Sequence, residues 1–357
     1  MRIILIISFC ITLCLSTVIL CSSCENGRPD FNCTTEEIKG YRIIFWNTEN
    51  LFDYLDDSAK DDNEFLPGSM RNWTKERYRK KLMNVYKVIV AAGIHNPPEI
   101  IGLCEIENRK VILDLLKETP LKFYQYRFVH HESPDKRGID VALIYNSQFI
   151  EIVEEYAIGV NLQPAGGETR DILYVRIAFK SADTISFFIN HWPSKYGGSG
   201  FTEDSRRMVA EKLRDYTSSV LRKFPSEKII IMGDFNDPPE SNSISGLVCD
   251  EKNDKYINGD FLYNLSNIGK ARIYGTNKYQ GIWEIIDQFI VSGNCIKDTI
   301  GLYTGAEFFS IFSPDFLLED DKVYGGKKPF RTWNGMKYQG GFSDHLPVIL
   351  DLKYREL

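Results

Sequence analysis

Positively charged residues are not in excess in this sequence. Its 357 residues include 43 Lys and Arg against 49 Asp and Glu, which gives a formal charge of −6. This balance excludes a protein that holds nucleic acid through a strongly basic surface. Beyond residue 40 the chain also has no internal repeat, no low-complexity tract and no obvious linker. We therefore expect a single domain there.

Cysteine motifs of the zinc-binding kind are also missing. Of the eight cysteines, Cys10, Cys14 and Cys21 lie in or beside an apolar N-terminal run, and those after Cys24 are widely spaced. No CxxC pair and no Cys/His cluster with zinc spacing follows Cys24. A nucleophilic Ser or Cys elbow and a phosphate-binding loop are absent as well. Neither a cysteine zinc site nor a covalent nucleophile is therefore predicted.

Residues 1–23 are typical of an export signal. Arg2 precedes an uncharged apolar run that continues to Leu20, and two serines stand directly before Cys24. A short positive region followed by an apolar region predicts secretion, and Cys24 resembles the acylated residue of a bacterial lipoprotein. The run is also long enough for a single membrane anchor. We expect a lipoprotein on the periplasmic or cell-surface side of a membrane, with residues 24–40 as a tether and residues 41–357 as the domain.

Apolar periodicity divides this domain into strands and helices. The helix predicted from Thr74 to Ala92 is amphipathic, and we interpret its basic face, which includes Lys81, as solvated. The other elements are predicted at Arg42–Asn47, Ile100–Glu105, the segment after Asn108, Tyr126–His131, Gly138–Tyr145, Ile172–Phe179, Thr184–His191, Glu203–Lys223, Asp287–Ser292 and Leu346–Leu352. Hairpins in the middle, with helices between other strands, indicate an α+β fold of two packed sheets covered by helices.

Polar residues stand where the predicted strands end. The clearest case is the apolar run Ile229–Met232, which leads into Gly233, Asp234 and Asn236; the last two are two positions apart and should point the same way. An ordinary strand-to-turn junction is the alternative, since Asp and Asn are common turn residues. The full set is Asn47, Glu105, Asp140, His191, Asp234, Asn236, Asp287, Asp344 and His345. Carboxylates and imidazoles of this kind suit phosphate ester hydrolysis by a metal-positioned water.

Seven short motifs in this order resemble the endonuclease/exonuclease/phosphatase superfamily. Its relatives include deoxyribonuclease I, abasic-site endonucleases, inositol-polyphosphate 5-phosphatases and neutral sphingomyelinases. The resemblance covers residues 41–354 and implies a four-layer α/β/β/α sandwich of two mostly antiparallel sheets between helices. The motifs are Trp46-Asn47, Cys104-Glu105, Gly138-Ile139-Asp140, Asn190-His191-Trp192-Pro193, Gly233-Asp234-Phe235-Asn236, Ile286-Asp287-Gln288-Phe289 and Ser343-Asp344-His345.

The resemblance also implies a role for each of these positions. Mg²⁺ or Mn²⁺ would be the cofactor, with Glu105 as principal ligand and Asp344 as second. Asn47 would orient these ligands and contact metal or phosphate, and Asp234 and Asn236 would contact the scissile phosphate or a second cation. His345 and Asp287, at the ends of successive late strands, would form the proton-handling dyad. His191 would pair with Asp140 on a neighbouring strand.

Two arginines are candidates for binding substrate phosphate. Arg206 lies early in the helix after His191, where a surface position is an equal alternative. Arg331 lies in the loop before Ser343, and loops on this rim select the substrate in the family.

The resemblance specifies the reaction better than the substrate. A monomeric nuclease with DNA as its favoured substrate is our first expectation. A phosphatase or a phospholipid or sphingomyelin phosphodiesterase is the alternative; Phe308–Phe312 is the candidate for the exposed apolar hairpin of secreted sphingomyelinases. Asp237-Pro238-Pro239 stands where 5-phosphatases have an arginine-containing stretch. A binding module without catalysis is the remote alternative, since every motif position is filled.

Overall fold

The computed structural model describes residues 40–93, 96–163, 167–181, 183–195, 199–249, 257–266, 274–296 and 301–355. Lys39–Leu357 forms one compact unit. The predicted export signal and, apart from Gly40, the tether lie outside the described residues, and both stay predictions. Within the described ranges no helix is long and apolar enough to cross a membrane.

The strands are numbered here in chain order. They are β1 (Gly40–Leu51), β2 (Ile100–Ile106), β3 (Tyr126–His130), β4 (Asp140–Asn146), β5 (Ile150–Ile158), β6 (Ile172–Phe179), β7 (Thr184–His191), β8 (Lys228–Asp234), β9 (Leu262–Asn264), β10 (Asn277–Tyr279), β11 (Ile282–Glu284), β12 (Asp287–Ser292), β13 (Gly301–Tyr303), β14 (Phe309–Ile311), β15 (Leu318–Asp320), β16 (Lys327–Pro329), β17 (Trp333–Asn334), β18 (Lys337–Tyr338) and β19 (Val348–Arg355).

Three longer and two single-turn helices accompany the described strands. They are α1 (Lys75–Ala92), α2 (Arg109–Glu118), α3 (Ser199–Lys223), α4 (Asn242–Ser245) and α5 (Gly293–Ile296). Thr74 and Asn108 cap α1 and α2, because each side chain accepts a hydrogen bond from a backbone N–H of the first turn. Both caps stand where the sequence predicts the helices to begin.

Two large sheets form the centre of the fold. The first has the order β13-β19-β1-β2-β4-β3, with β14 also paired to β19; the second has the order β5-β6-β7-β8-β12-β9. The first sheet contains one parallel pair of strands, β1 with β2, and the second contains β7 with β8. The other neighbouring strands of both sheets run antiparallel. The expected pair of mostly antiparallel sheets is confirmed. Strand β5, at the edge of the second sheet, was not predicted.

Apolar side chains alternate along the strands and so divide the core into three layers. Ile43 and Phe45 of β1 pack between the sheets with residues such as Phe187 of β7. Ile44 and Trp46 of the same strand face α1 and α2 instead. A third cluster lies between the second sheet and α3. Because side chains on a strand alternate between faces, this produces the expected order helices, sheet, sheet, helix.

Candidate active site

Strand ends of both sheets meet at one edge of the sandwich. In the second sheet, Asp234 at the end of β8 is the register partner of His191 on parallel β7 and of Asp287 on antiparallel β12. In the first sheet, Asn47 of β1 is the register partner of Cys104, the residue before Glu105. Parallel strands end at the same edge, so each parallel pair delivers two polar residues to the same place.

Gly233 permits the close approach of β7 and β8 beside the site. A Cβ atom at this position would lie 2.6 Å from both the Cβ and the backbone oxygen of Asn190. Any side chain would therefore push the strands apart next to Asp234. Gly233 lies inside β8 and not in the turn that follows it. Its role is close packing of the two strands.

Asn47 joins the carboxylates of the two sheets. Its amide nitrogen donates to Glu105 Oε1 at 3.2 Å and to Asp234 Oδ2 at 3.0 Å. Its amide oxygen accepts from the backbone N–H of Glu49 at 2.9 Å. The amide oxygen is thus turned away from the carboxylates, and the amide nitrogen holds the carboxylates of Glu105 and Asp234 in place.

Glu105 lies on a distorted part of β2. Its φ is 59°, and the pairing of β2 with β4 shifts register between Cys104 and Ile106. A positive φ is costly for a residue with a side chain and persists where the surroundings impose it. Here the bulge directs the carboxylate to the site, where Oε2 accepts from the backbone N–H of Asn50 at 2.7 Å.

His345 and Asp287 form a hydrogen-bonded pair. Nδ1 of His345 lies 2.7 Å from Oδ2 of Asp287, and both side chains are buried. The expected proximity is found, but the expected reason for it is wrong. Asp287 begins β12 of the second sheet, whereas His345 precedes β19 of the first, so the two strands are not neighbours. The segment of His345 instead forms an isolated antiparallel bridge with Asn277 of β10, a strand of the two-stranded sheet β10-β11.

Asp234 lies between the imidazoles of His345 and His191. Its Oδ2 is 3.9 Å from Nε2 of His345 and 3.8 Å from Nε2 of His191. Burial raises the pKa of Asp234 to about 7, with His345 acting in the opposite direction. Burial disfavours a charged His345, but Asp287 and Asp234 together raise its pKa well above the ordinary value. Burial, reinforced by Arg170, lowers the pKa of His191 well below its ordinary value. The pKa values of the two imidazoles that face Asp234 are thus shifted in opposite directions.

The predicted pair of His191 and Asp140 is not formed in the structure. Nε2 of His191 faces Glu105 and Asp234, at 3.9 and 3.8 Å. Asp140 belongs to a different group, since its Oδ2 lies 3.2 Å from Nε2 of His130 and its Oδ1 accepts from the backbone N–H of Ser133. His191 therefore lies in the site without the partner that the resemblance implied.

Asp344 and Arg331 lie together on the exposed side of the site. Arg331 donates to Asp344 Oδ2 at 3.0 Å and to Glu49 Oε1 at 3.3 Å. The Arg331 side chain is 38% exposed, so its free donors can still reach a phosphate from solvent. This position is compatible with the predicted role of Arg331 in phosphate binding.

Glu49 and Lys81 were not predicted from the sequence to belong to the site. Glu49 is buried and accepts from the backbone N–H groups of Thr332 and Trp333, which ties the end of β1 to the loop that carries Arg331. The amine of Lys81, predicted on the solvated face of α1, is buried and donates to Phe342 O at 2.6 Å. The signal that could have identified Glu49 is its position two residues after Asn47, close to the end of the apolar run Ile43–Trp46.

The structure does not place Arg206 among the phosphate-binding residues. Its side chain is 2% exposed, and its guanidinium is 2.6 Å from Asp237 and donates to Thr202. It is a buried ion pair behind the site, because the turn after β8 folds back onto α3. Asn236 is nearer the site: its backbone N–H donates to Asp234 Oδ1 at 2.9 Å, and its amide to Trp192 O.

The donor set at this edge suits a hard divalent cation. The side chains of Glu105 and Asp344 are 16% and 27% exposed, so both carboxylates can be reached from solvent. Asp234, Asp287 and His345 offer a second group whose ligand atoms lie within 4.8 Å of one another. Oxygen-rich sets of this kind are the usual hosts of divalent cations in phosphate chemistry. The residues therefore fit a divalent cation.

The model of the Endonuclease/Exonuclease/phosphatase family matches residues 42–354. The chain belongs to this family, whose members are phosphoester hydrolases that typically use divalent metals. Among curated proteins none gives a significant match.

Several solved structures share the fold. An endonuclease/exonuclease/phosphatase family protein of Bacteroides thetaiotaomicron has a TM-score of 0.56 at 15% identity, covering 88% of this chain and 95% of its own. A mannosyl-6-phosphatase of the same organism has a TM-score of 0.52 at 15% identity, covering 87% and 99%. TDP2 of D. rerio, complexed with a single-stranded DNA product, has a TM-score of 0.52 at 13% identity, covering 87% and 98%. At these identities the likeness establishes the fold.

Proposed function

We propose that this chain is an exported, Mg²⁺- or Mn²⁺-dependent phosphodiesterase that cleaves nucleic acid strands, with DNA as the favoured substrate. The observation that carries this proposal is the single network of Glu105, Asn47, Asp234, His345 and Asp287. Two carboxylates from different sheets, an orienting amide and an Asp-His pair face one space at the edge of the sandwich. This is the set of groups that metal-assisted hydrolysis of a phosphate ester requires.

Each residue of this network has a role that follows from its contacts. Asp287 holds Nδ1 of His345, which leaves Nε2 directed towards the site to donate to a phosphoryl oxygen. Asp234, held by Asn47 and Asn236, is placed to orient the attacking water. Glu105 and Asp344 would hold the cation, which when bound neutralises charge that develops on the phosphoryl oxygens. Arg331 would contact a neighbouring phosphate.

Several observations favour nuclease activity over the other hydrolytic activities of the family. The motifs around Asn190-His191 and Asp234-Phe235 resemble the nuclease-like branch, and TDP2, with a similar fold, was solved with a DNA product. The predicted apolar hairpin for a sphingomyelinase is not exposed, because Phe309 is buried and β14 pairs with β19.

The second candidate function is that of a phosphatase acting on a small phosphorylated sugar. The formal charge of −6 favours this candidate, because a negatively charged protein binds DNA less well without sequence specificity.

A substrate panel tests this proposal. Plasmid DNA, single-stranded DNA, RNA, inositol phosphates, mannose 6-phosphate and sphingomyelin are each incubated with Mg²⁺, Mn²⁺ or EDTA. We expect strand cleavage that requires the cation and weakens as salt is raised. The His345→Ala variant, purified in parallel, shows whether any cleavage comes from a contaminating nuclease. Phosphate release from monoesters without strand cleavage would contradict the nuclease and support the phosphatase.

The proposed export of this protein leads to a separate prediction, that Cys24 is acylated and holds the mature protein on a membrane. If Cys24 is acylated after removal of residues 1–23, the mature protein sediments with membranes and Cys24→Ser is released into the soluble fraction. A single acyl chain gives only marginal binding, so stable anchoring reflects more than one chain. Cys21→Ser is the matched control and should stay on the membrane. Mass spectrometry showing an unmodified mature N-terminus after Cys24 would refute acylation.

A further inference from the structure

A second cluster of metal-ligating side chains lies beside the candidate active site. It consists of His130, Glu132 and Asp140, each offering one ligand atom within 4.8 Å of the others. Asp140 begins β4 and is the register partner of Ile106, the residue after Glu105. The cluster therefore lies at the same edge of the first sheet, on the hairpin that joins β3 to β4.

Two buried atoms of this cluster have no hydrogen-bond partner. Nε2 of His130 and Oδ2 of Asp140 lie 3.2 Å apart, and each side chain is 2% exposed. At that distance a hydrogen bond would form if the N–H pointed at the oxygen, but neither atom takes part in one. A polar atom that is buried without a hydrogen-bond partner loses its hydration uncompensated, so such a pair calls for an occupant.

The separation of these two atoms matches two ligands that share one cation. Zn²⁺ binds histidine nitrogen and carboxylate oxygen at about 2.0–2.2 Å, so neighbouring ligands of a tetrahedral site lie about 3.3 Å apart. In that geometry each ligand points at the cation and not at its neighbour. This accounts for a 3.2 Å contact without hydrogen-bond alignment.

The surroundings supply further negative charge. Glu132, with a side chain 54% exposed, interacts electrostatically with Asp140 and His130 and can swing towards them. Asp171 interacts with Asp140 and has a buried Oδ1 without a hydrogen-bond partner. The amine of Lys60, which acts electrostatically on Glu132, donates to the backbone oxygens of Ser133 and Asp135. Carboxylates thus outnumber cations at this site.

We propose that His130, Glu132 and Asp140 form a binding site for Zn²⁺ that is separate from the hydrolytic cation site. One imidazole with two carboxylates favours zinc over Mg²⁺, which prefers oxygen ligands and retains its waters. Because Asp140 pairs with the strand that carries Glu105, the bound ion fixes the β3–β4 hairpin against the rim of the active site.

The test is the stoichiometry of Zn²⁺ binding, measured by equilibrium dialysis of the full chain in millimolar Mg²⁺ so that the carboxylates of Glu105 and Asp344 are occupied. We expect the wild type and Glu105→Gln each to bind one equivalent of Zn²⁺ at this site, and His130→Gln to lose it. His131→Gln is the matched control, because the adjacent His131 pairs with Glu155 outside this cluster and should retain the ion. X-ray absorption at the zinc edge should show nitrogen and oxygen ligands without sulfur.

Glu132→Gln keeps the proposal testable if His130→Gln fails to fold. Its exposed side chain has little part in packing, so the variant should fold and bind Zn²⁺ at least about tenfold more weakly. Zinc binding that His130→Gln and Glu132→Gln leave unchanged would overturn the proposal. So would the absence of a zinc equivalent in wild type, or its loss in Glu105→Gln, which would assign the ion to the hydrolytic site.

Discussion

Replacing Glu105 with glutamine is expected to lower turnover by about a hundredfold or more, the largest effect we predict for a single side chain. Glutamine keeps the size of the residue and can still accept from Asn50, but it removes the charge that would hold the cation. The measurement is the rate of phosphate ester hydrolysis at saturating Mg²⁺ or Mn²⁺, together with the metal concentration at half-maximal rate. Removal of the metal by EDTA should abolish activity in the wild type.

Glu107→Gln is the matched control for Glu105→Gln. Glu107 lies two residues further on, is buried, and accepts from the backbone N–H of Asp53. Burial raises the pKa of Glu107 to about 8, which favours the uncharged form that glutamine resembles. We expect near-normal activity from this variant. Full activity of Glu105→Gln, or full activity of the wild type in EDTA, would refute Glu105 as the principal ligand.

The second large effect is expected at the dyad of His345 and Asp287. General acid–base catalysis contributes roughly 10²–10⁴-fold, so His345→Ala should lose about that much in turnover. Asp287→Asn should also lose activity, because it removes the carboxylate that holds Nδ1 of His345 at 2.7 Å. Groups that act as one unit are strongly non-additive. The double variant should therefore be little slower than His345→Ala alone.

The measurement is a double-mutant cycle, in which steady-state rates are compared for the wild type, both single variants and the double variant. His131→Ala serves as the control, since that histidine is 38% exposed and belongs to another ion pair. Losses that multiply in the double variant would show that His345 and Asp287 act independently. Thermal unfolding of each variant separates lost chemistry from lost structure, since Asp287 is completely buried.

The positions of the three longer helices, and of every described strand of more than three residues except β5, could be predicted because their causes are local. Strand β8 is an apolar run, and helices α1 and α2 begin at a threonine and an asparagine with the expected capping bonds. Strand β5 escaped prediction because it lies at a sheet edge, where its outward residues, such as Glu151 and Glu155, are charged. Periodicity identifies a strand only when its buried face is continuous.

The partners of the polar residues could not be predicted in the same way. Asp234, Asp287 and His191 meet because β8 lies between β7 and β12, an order that strand ends do not reveal. Arg206 has a basic side chain on a helix next to the site, and only the fold of the turn after β8 shows that Asp237 occupies its guanidinium. Because the sequence does not reveal such partners, it predicted a pair of Asp140 and His191, whereas Asp140 lies against His130.

The sequence by itself determined the family, the two-sheet fold and the set of polar residues at the strand ends. These follow from alternation, capping residues and short motifs, all of which act over a few positions in the chain. Only the tertiary structure decided which of those residues meet. His345 reaches Asp287 across the two sheets, and Asn47 contacts Asp234, which lies 187 positions further along the chain. Such contacts depend on how the sheets are ordered and packed, and packing is a property of the whole fold.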